Sequence, residues 1–143
     1  MKKIAIFLFI IIMIVATVAY VYLNYTISYN KTQKENAKFE VNKDEEIYGS
    51  DLATLINKSI DSNEKNDIKK DENNKYIDNK QDSINIDIKF IDDKVTYNME
   101  KIYNSGINEF LSYYKDIKFK CNDVQYHDKT NRIKYMLFEQ ITQ

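Results

Sequence analysis

The chain has 143 residues, enough for one modest domain with an appendage and too few for a second large core. Its 22 acidic and 21 basic residues leave a net charge of -1, mixed along the whole length, which excludes the basic footprint of a nucleic-acid binder. One Cys and one His exclude a structural zinc site and an internal disulfide.

The first predicted element is IAIFLFIIIMIVATVAYVYL, residues 4–23, which carries no charge. At 1.5 Å rise per residue such a helix spans about 30 Å, the thickness of a bilayer's hydrocarbon core, with its backbone groups satisfied internally. Membrane lipid is therefore the expected partner of residues 4–23. A cleaved signal peptide is the rival, with Met1-Lys2-Lys3 as its basic leader and a cut after Ala19. Retention is expected because the apolar run continues through Val21 and Leu23. The short basic leader and long polar remainder describe a single-pass signal anchor in the plasma membrane. Residues 1–3 are then a cytoplasmic tail, and the C-terminal part lies outside. Lys31, Lys34 and Lys38 nearly balance the leader, so orientation rests on that layout more than on charge. Tyr20, Tyr22, Tyr25 and Tyr29 suit the outer interface, where a ring with a polar tip is at home. Residues 24–43 contain no helix breaker and read as a helical stalk or linker.

Residues 44–143 are expected to form a small α+β extracytoplasmic domain. Gly49-Ser50 gives a turn and Asp51 an N-cap, after which Leu52, Leu55, Ile56 and Ile60 put one apolar face on a helix over 51–63. Residues 63–82 are polar, with Tyr76-Ile77 as their main apolar contribution, and read as a loop or short hairpin. SINIDIKFI, residues 83–91, alternates as a half-buried strand. Residues 96–115 return to helical spacing and are predicted as one helix, although Gly106 costs about 1 kcal/mol relative to Ala there. Residues 117–127 and 132–140 read as strands paired through the turn Asp128-Lys129-Thr130-Asn131. The order implies a small, mainly antiparallel sheet packed on one or two helices.

Chemistry-bearing motifs are sparse. DSNEKNDIKKDE, residues 61–72, sets Asp61, Asn63, Ile68 and Glu72 in the register of a calcium-binding EF-hand loop. Lys65 and Lys69 occupy ligand positions and Asn66 replaces the turn glycine, so an ordinary solvated loop is the expectation. Cys121 and His127 would lie about 20 Å apart on a regular strand and cannot act together. Cys121 reads as a core residue, and His127 as a strand-end residue. No Gly-rich phosphate loop includes Gly49 or Gly106. The sequons at Asn24, Asn30 and Asn57 are chance matches in an Asn-rich chain. No catalytic, cofactor-binding or metal residue is assigned, and an enzyme is not expected.

What remains is surface. Tyr113 and Tyr114 are adjacent, so on a helix they point about 100° apart and one of them should be exposed. With Tyr97 and Tyr135 they are candidate anchors for a protein partner or for self-association. An N-terminal apolar helix, a stalk and a small sheet domain is also a layout that resembles type IV pilins and pseudopilins, which implies a filament or secretion-system subunit. The Gly that precedes the apolar segment in that family, and the Phe and Glu that open its helix, have no counterpart in MKKIAIFLF.

Overall fold

The computed structural model describes residues 2–39, 41–91 and 95–142. Helix α1, Lys2–Asn36, is continuous. Neither Pro nor Gly interrupts it, and the polar side chains of Thr17, Asn24 and Thr26 turn back onto the helix. Thr17 Oγ1 donates to the Met13 carbonyl at 2.8 Å, and Asn24 Nδ2 donates to the Tyr20 carbonyl at 3.1 Å. Every large apolar side chain from Ile4 to Leu23 is exposed. Among the described residues α1 is the one helix long and apolar enough to cross a membrane. The chain divides into two compact units at Lys34 and Glu35.

The second unit is α+β. Its elements are β1 (Glu46–Tyr48), α2 (Gly49–Lys65), β2 (Asn85–Lys89), β3 (Thr96–Asn98), α3 (Met99–Ser105), α4 (Ile107–Tyr114), β4 (Lys118–Tyr126) and β5 (Ile133–Gln140). The five strands form one sheet in the order β1-β4-β5-β2-β3. All neighbours are antiparallel except β2 and β5, which run parallel with Ile86 beside Met136 and Ile88 beside Phe138. A crossover is needed to bring parallel strands together, and α3 and α4 lie in the chain between these two.

Period-two alternation decides the sheet's inner face. Ile86, Ile88, Phe119, Cys121, Met136 and Phe138 are fully buried. Leu52, Leu55, Ile56 and Ile60 of α2 bury the opposing stripe. On the polar side of the sheet, ion pairs replace apolar contacts: Lys89 to Glu139 at 2.8 Å, Lys118 to Glu46 at 3.1 Å, and Lys120 to Asp44 at 2.8 Å. Exposed pairs of this kind contribute little to stability.

Helix α2 begins earlier than its sequence pattern implies. Asp51 lies in the first turn and Tyr48 is the N-cap, with no side-chain capping bond. The N–H groups of Gly49 and Ser50 instead donate to the carbonyls of Ile117 and Lys115, at 2.8 and 3.1 Å. Gly49 is there for close approach: a Cβ at this position would sit 2.0 Å from the Tyr114 carbonyl oxygen.

The single helix expected over 96–115 is corrected to three elements. Thr96–Asn98 pairs with β2 as an edge strand, and the Asn98 side chain caps α3 by accepting from the Lys101 N–H at 2.9 Å. Gly106 then adopts φ +109°, which ends α3 and starts α4 in a new direction. A helix count of one or two is likewise corrected, since α2, α3 and α4 all belong to this unit.

Candidate functional site

The breaks on either side of α3 gather aromatic rings from three parts of the chain. Phe90 follows β2, Tyr97 lies in β3, and Phe110, Tyr113 and Tyr114 come from α4. Phe90 is the hub: its ring centroid lies 4.7 Å from Tyr114, 5.4 Å from Tyr97 in an edge-on approach, and 6.0 Å from Phe119 beneath. Phe110 and Tyr114, four residues apart on α4, stack at 5.3 Å. These side chains line an open groove of about 240 Å³ with Ile102 and Gly106. The groove's charged residues are Lys101 and Glu109. The Lys101 ammonium sits 4.1 Å from the centre of the Tyr97 ring, a cation–π contact that holds that ring's face.

The adjacent tyrosines divide as the helix geometry requires. Tyr113 is 71% exposed, whereas Tyr114 is half-buried in the ring cluster. Three of the four tyrosines singled out by sequence, Tyr97, Tyr113 and Tyr114, meet in this groove. Tyr135 does not. It lies on β5 and donates its hydroxyl to Asp87 at 3.2 Å, and burial, aided by Asp87, pushes its pKa up to about 12. Phe90 and Phe110 were missed because they read only as core residues of a strand and a helix.

The calcium register is broken by helix. Asp61 through Lys65 are part of α2, so the first five loop positions have helical backbone. Asn63, the third, points into the core and is fully buried. Its Nδ2 donates to the Ile84 carbonyl at 2.7 Å and its Oδ1 accepts the Ile84 N–H at 2.8 Å. Ile68 packs back after Asp67 takes a left-handed turn at φ +52°, which closes the helix. Among the described residues no three His, Cys, Asp or Glu side chains gather to hold a metal ion.

Cys121 is buried opposite Phe138, and burial pushes its thiol up to about 11. Two register shifts in β4 separate it from His127, which directly follows the strand, and both side chains end up buried. His127 Nε2 lies 2.8 Å from the Ser83 carbonyl oxygen, so that nitrogen carries the hydrogen and donates. Nδ1 is 3.7 Å from Asp78, too far for a hydrogen bond. The imidazole straps down the loop over 78–83, in which Asn79 Oδ1 accepts from the N–H groups of Gln81, Asp82 and Ser83. Arg132 pairs with Asp82, and Lys134 with Asp78 at 3.0 Å. Burial raises the Asp78 pKa, but the Lys134 hydrogen bond and the Lys80 N–H outweigh it and hold the carboxyl below its ordinary value. This wiring was not legible beforehand, because residues 63–82 carry turn-forming types without periodicity.

Compared with protein-family models, curated proteins and solved structures, the chain matches none.

Proposed function

We propose that the chain is a single-pass protein of the plasma membrane, held by residues 4–23, that displays a small non-catalytic interaction domain outside the cell. Residues 1–3 form its cytoplasmic tail and residues 24–34 its stalk, and the displayed domain begins at Glu35 instead of at residue 44, because Phe39 and Val41 pack into its core. The observation that carries the reading is the helix α1, whose apolar residues from Ile4 to Leu23 are all exposed, in a chain whose other unit completes its own core. An apolar surface of that length is costly in water and stable in lipid.

The aromatic groove is the docking face in this reading, and its occupant is an apolar side chain of a partner protein. Tyrosines that bury ring area while offering a hydroxyl are favoured interface anchors, and the Phe90 cluster fixes the groove before binding. The test is crosslinking in native membranes through a photoreactive residue at Glu109, an exposed residue of the groove, with Tyr113→Ala and Tyr97→Ala introduced separately beside it. A specific adduct to one protein that both variants weaken supports the reading; recovery of monomer alone, or of a dimer of this chain, sinks it.

A pilin-like filament subunit is the alternative, favoured by the unbroken run of α1 from Lys2 to Asn36. That reading requires a processed chain released as filaments by shear, whereas the anchored module requires an intact, membrane-bound one.

A further inference from the structure

His127 closes the turn between β4 and β5: its N–H donates to the Arg132 carbonyl at 2.9 Å, and its carbonyl accepts the Asn131 N–H at 2.8 Å. The backbone therefore fixes where the imidazole sits, and the residue is buried. One ring nitrogen is committed. Nε2 donates to the Ser83 carbonyl, at the end of the loop over 78–83, which leaves Nδ1 without a hydrogen in the neutral ring. That bare nitrogen faces Asp78, at the start of the same loop, with Oδ1 3.7 Å away. The imidazole thus reaches both ends of the loop and ties down one.

A proton on Nδ1 supplies the second tie. The imidazolium has two donors, and a closure of about 1 Å brings Nδ1–H into a charge-assisted hydrogen bond with the carboxylate. Asp78 Oδ1 accepts the Lys80 N–H at 2.7 Å but the Ser83 hydroxyl only at 3.3 Å, so the weaker donor can give way. The charges around the ring permit this. They are Asp78 and Asp82 from the loop, Lys134 of β5 and Arg132 just before it, while Asp128 and Lys129, next in the chain, are exposed. Lys134 bonds the other oxygen of Asp78, and Arg132 pairs with Asp82 and lies 3.6 Å from Glu35. Each cation has a carboxylate already, and Asp78 stands close enough to meet one more. Its carboxyl is held below the ordinary value of 3.8, so it stays ionised across the range in which histidines titrate. We infer that His127 is a proton-operated clasp: in mild acid it binds Asp78 as well as Ser83 and locks the loop over 78–83, and in mild base it releases Asp78. The device is independent of the protein-docking groove.

The chain's single histidine makes the test direct. Long-range proton–nitrogen NMR spectra of the full chain, labelled at histidine in detergent micelles, are recorded from pH 8 to pH 5. Hydrogen-exchange mass spectrometry follows the same samples, corrected for the intrinsic pH dependence of exchange. The expected result is an Nε2–H tautomer at pH 8 that becomes an imidazolium by pH 5, while protection over 80–83 rises about threefold or more and protection over 52–60 in α2 does not follow it. Asp78→Asn keeps an oxygen for the Lys80 N–H without the charge, and His127→Gln keeps a donor for Ser83 that takes up no proton; both should make protection of the loop independent of pH. An imidazole still neutral at pH 5, loop protection that is flat or falls in acid, a rise shared by α2, or the same rise in either variant would overturn the inference. If a variant fails to fold, the wild-type titration alone decides.

Discussion

Replacing Asn63 with Asp separates a structural role from a calcium-binding one, because the two accounts predict opposite signs. Asn63 bonds Ile84 twice, as donor at 2.7 Å and acceptor at 2.8 Å, with no exposure to water. An ionised carboxylate keeps the acceptor but faces the Ile84 carbonyl with a second oxygen, leaving that carbonyl unpaired. The unpaired acceptor costs about 1–3 kcal/mol, and desolvation of the new charge adds to it, so a loss of about 2–4 kcal/mol is expected. For a domain of this size that lowers Tm by roughly 10–25 °C. Burial raises the introduced carboxyl's folded-state pKa above its unfolded value, so the penalty is largest at neutral pH. It shrinks as the pH falls through the folded-state pKa, because the protonated acid regains a donor for Ile84. The assay is thermal unfolding of the full chain in detergent micelles at pH 7 and pH 5, followed by circular dichroism, with and without calcium. An unchanged Tm, or a variant that calcium stabilises, would refute the reasoning.

The glycines should respond for different reasons. Gly49→Ala drives a Cβ into the Tyr114 carbonyl and should cost about 3 kcal/mol, whereas Gly106→Ala meets open space and should cost about 1–2 kcal/mol from backbone strain alone. Equal losses in urea titrations of the two variants would contradict this. Asp78, Glu35 and Glu139 are held below their ordinary pKa values of 3.8, 4.5 and 4.5. Their contribution is therefore complete above those values and lost as the pH falls below them, and Asp78→Asn should flatten the acid limb of a Tm-against-pH curve. Cys121, with its thiol near 11 and buried, should resist a thiol reagent at pH 8 until the domain unfolds; labelling of the native protein at the rate of a free cysteine would count against that burial. A fragment beginning at Glu35 should fold without the apolar helix. Starting at Val41 would discard Asn36, which bonds both Asn131 and Ile133, and the buried Phe39, so that shorter fragment should be measurably less stable.

Periodicity made the central elements readable. The alternation of Ile84, Ile86 and Ile88, the helical stripe from Leu52 to Ile60, and the strands flanking Asp128–Asn131 each express burial on one face, a signal local to the chain. The edge strands Glu46–Tyr48 and Thr96–Asn98 are three residues each, too short for a pattern, and exist because a neighbouring strand supplies their hydrogen bonds. The parallel pairing of β2 with β5 joins residues about fifty apart and leaves no local trace. Gly106 was visible as a helix cost, but only its left-handed φ turned that cost into a break. Three of the groove's five aromatic rings were legible, as tyrosines.

The central claim is that the apolar helix stays in the chain and holds the domain outside a membrane. Its most direct test is the mass and location of the mature protein, expressed intact with a C-terminal tag and fractionated before and after protease treatment of whole cells. The account predicts an unprocessed chain that resists alkaline extraction from membranes and loses its tag to external protease. A soluble species of lower mass, cut after Ala19, would contradict it.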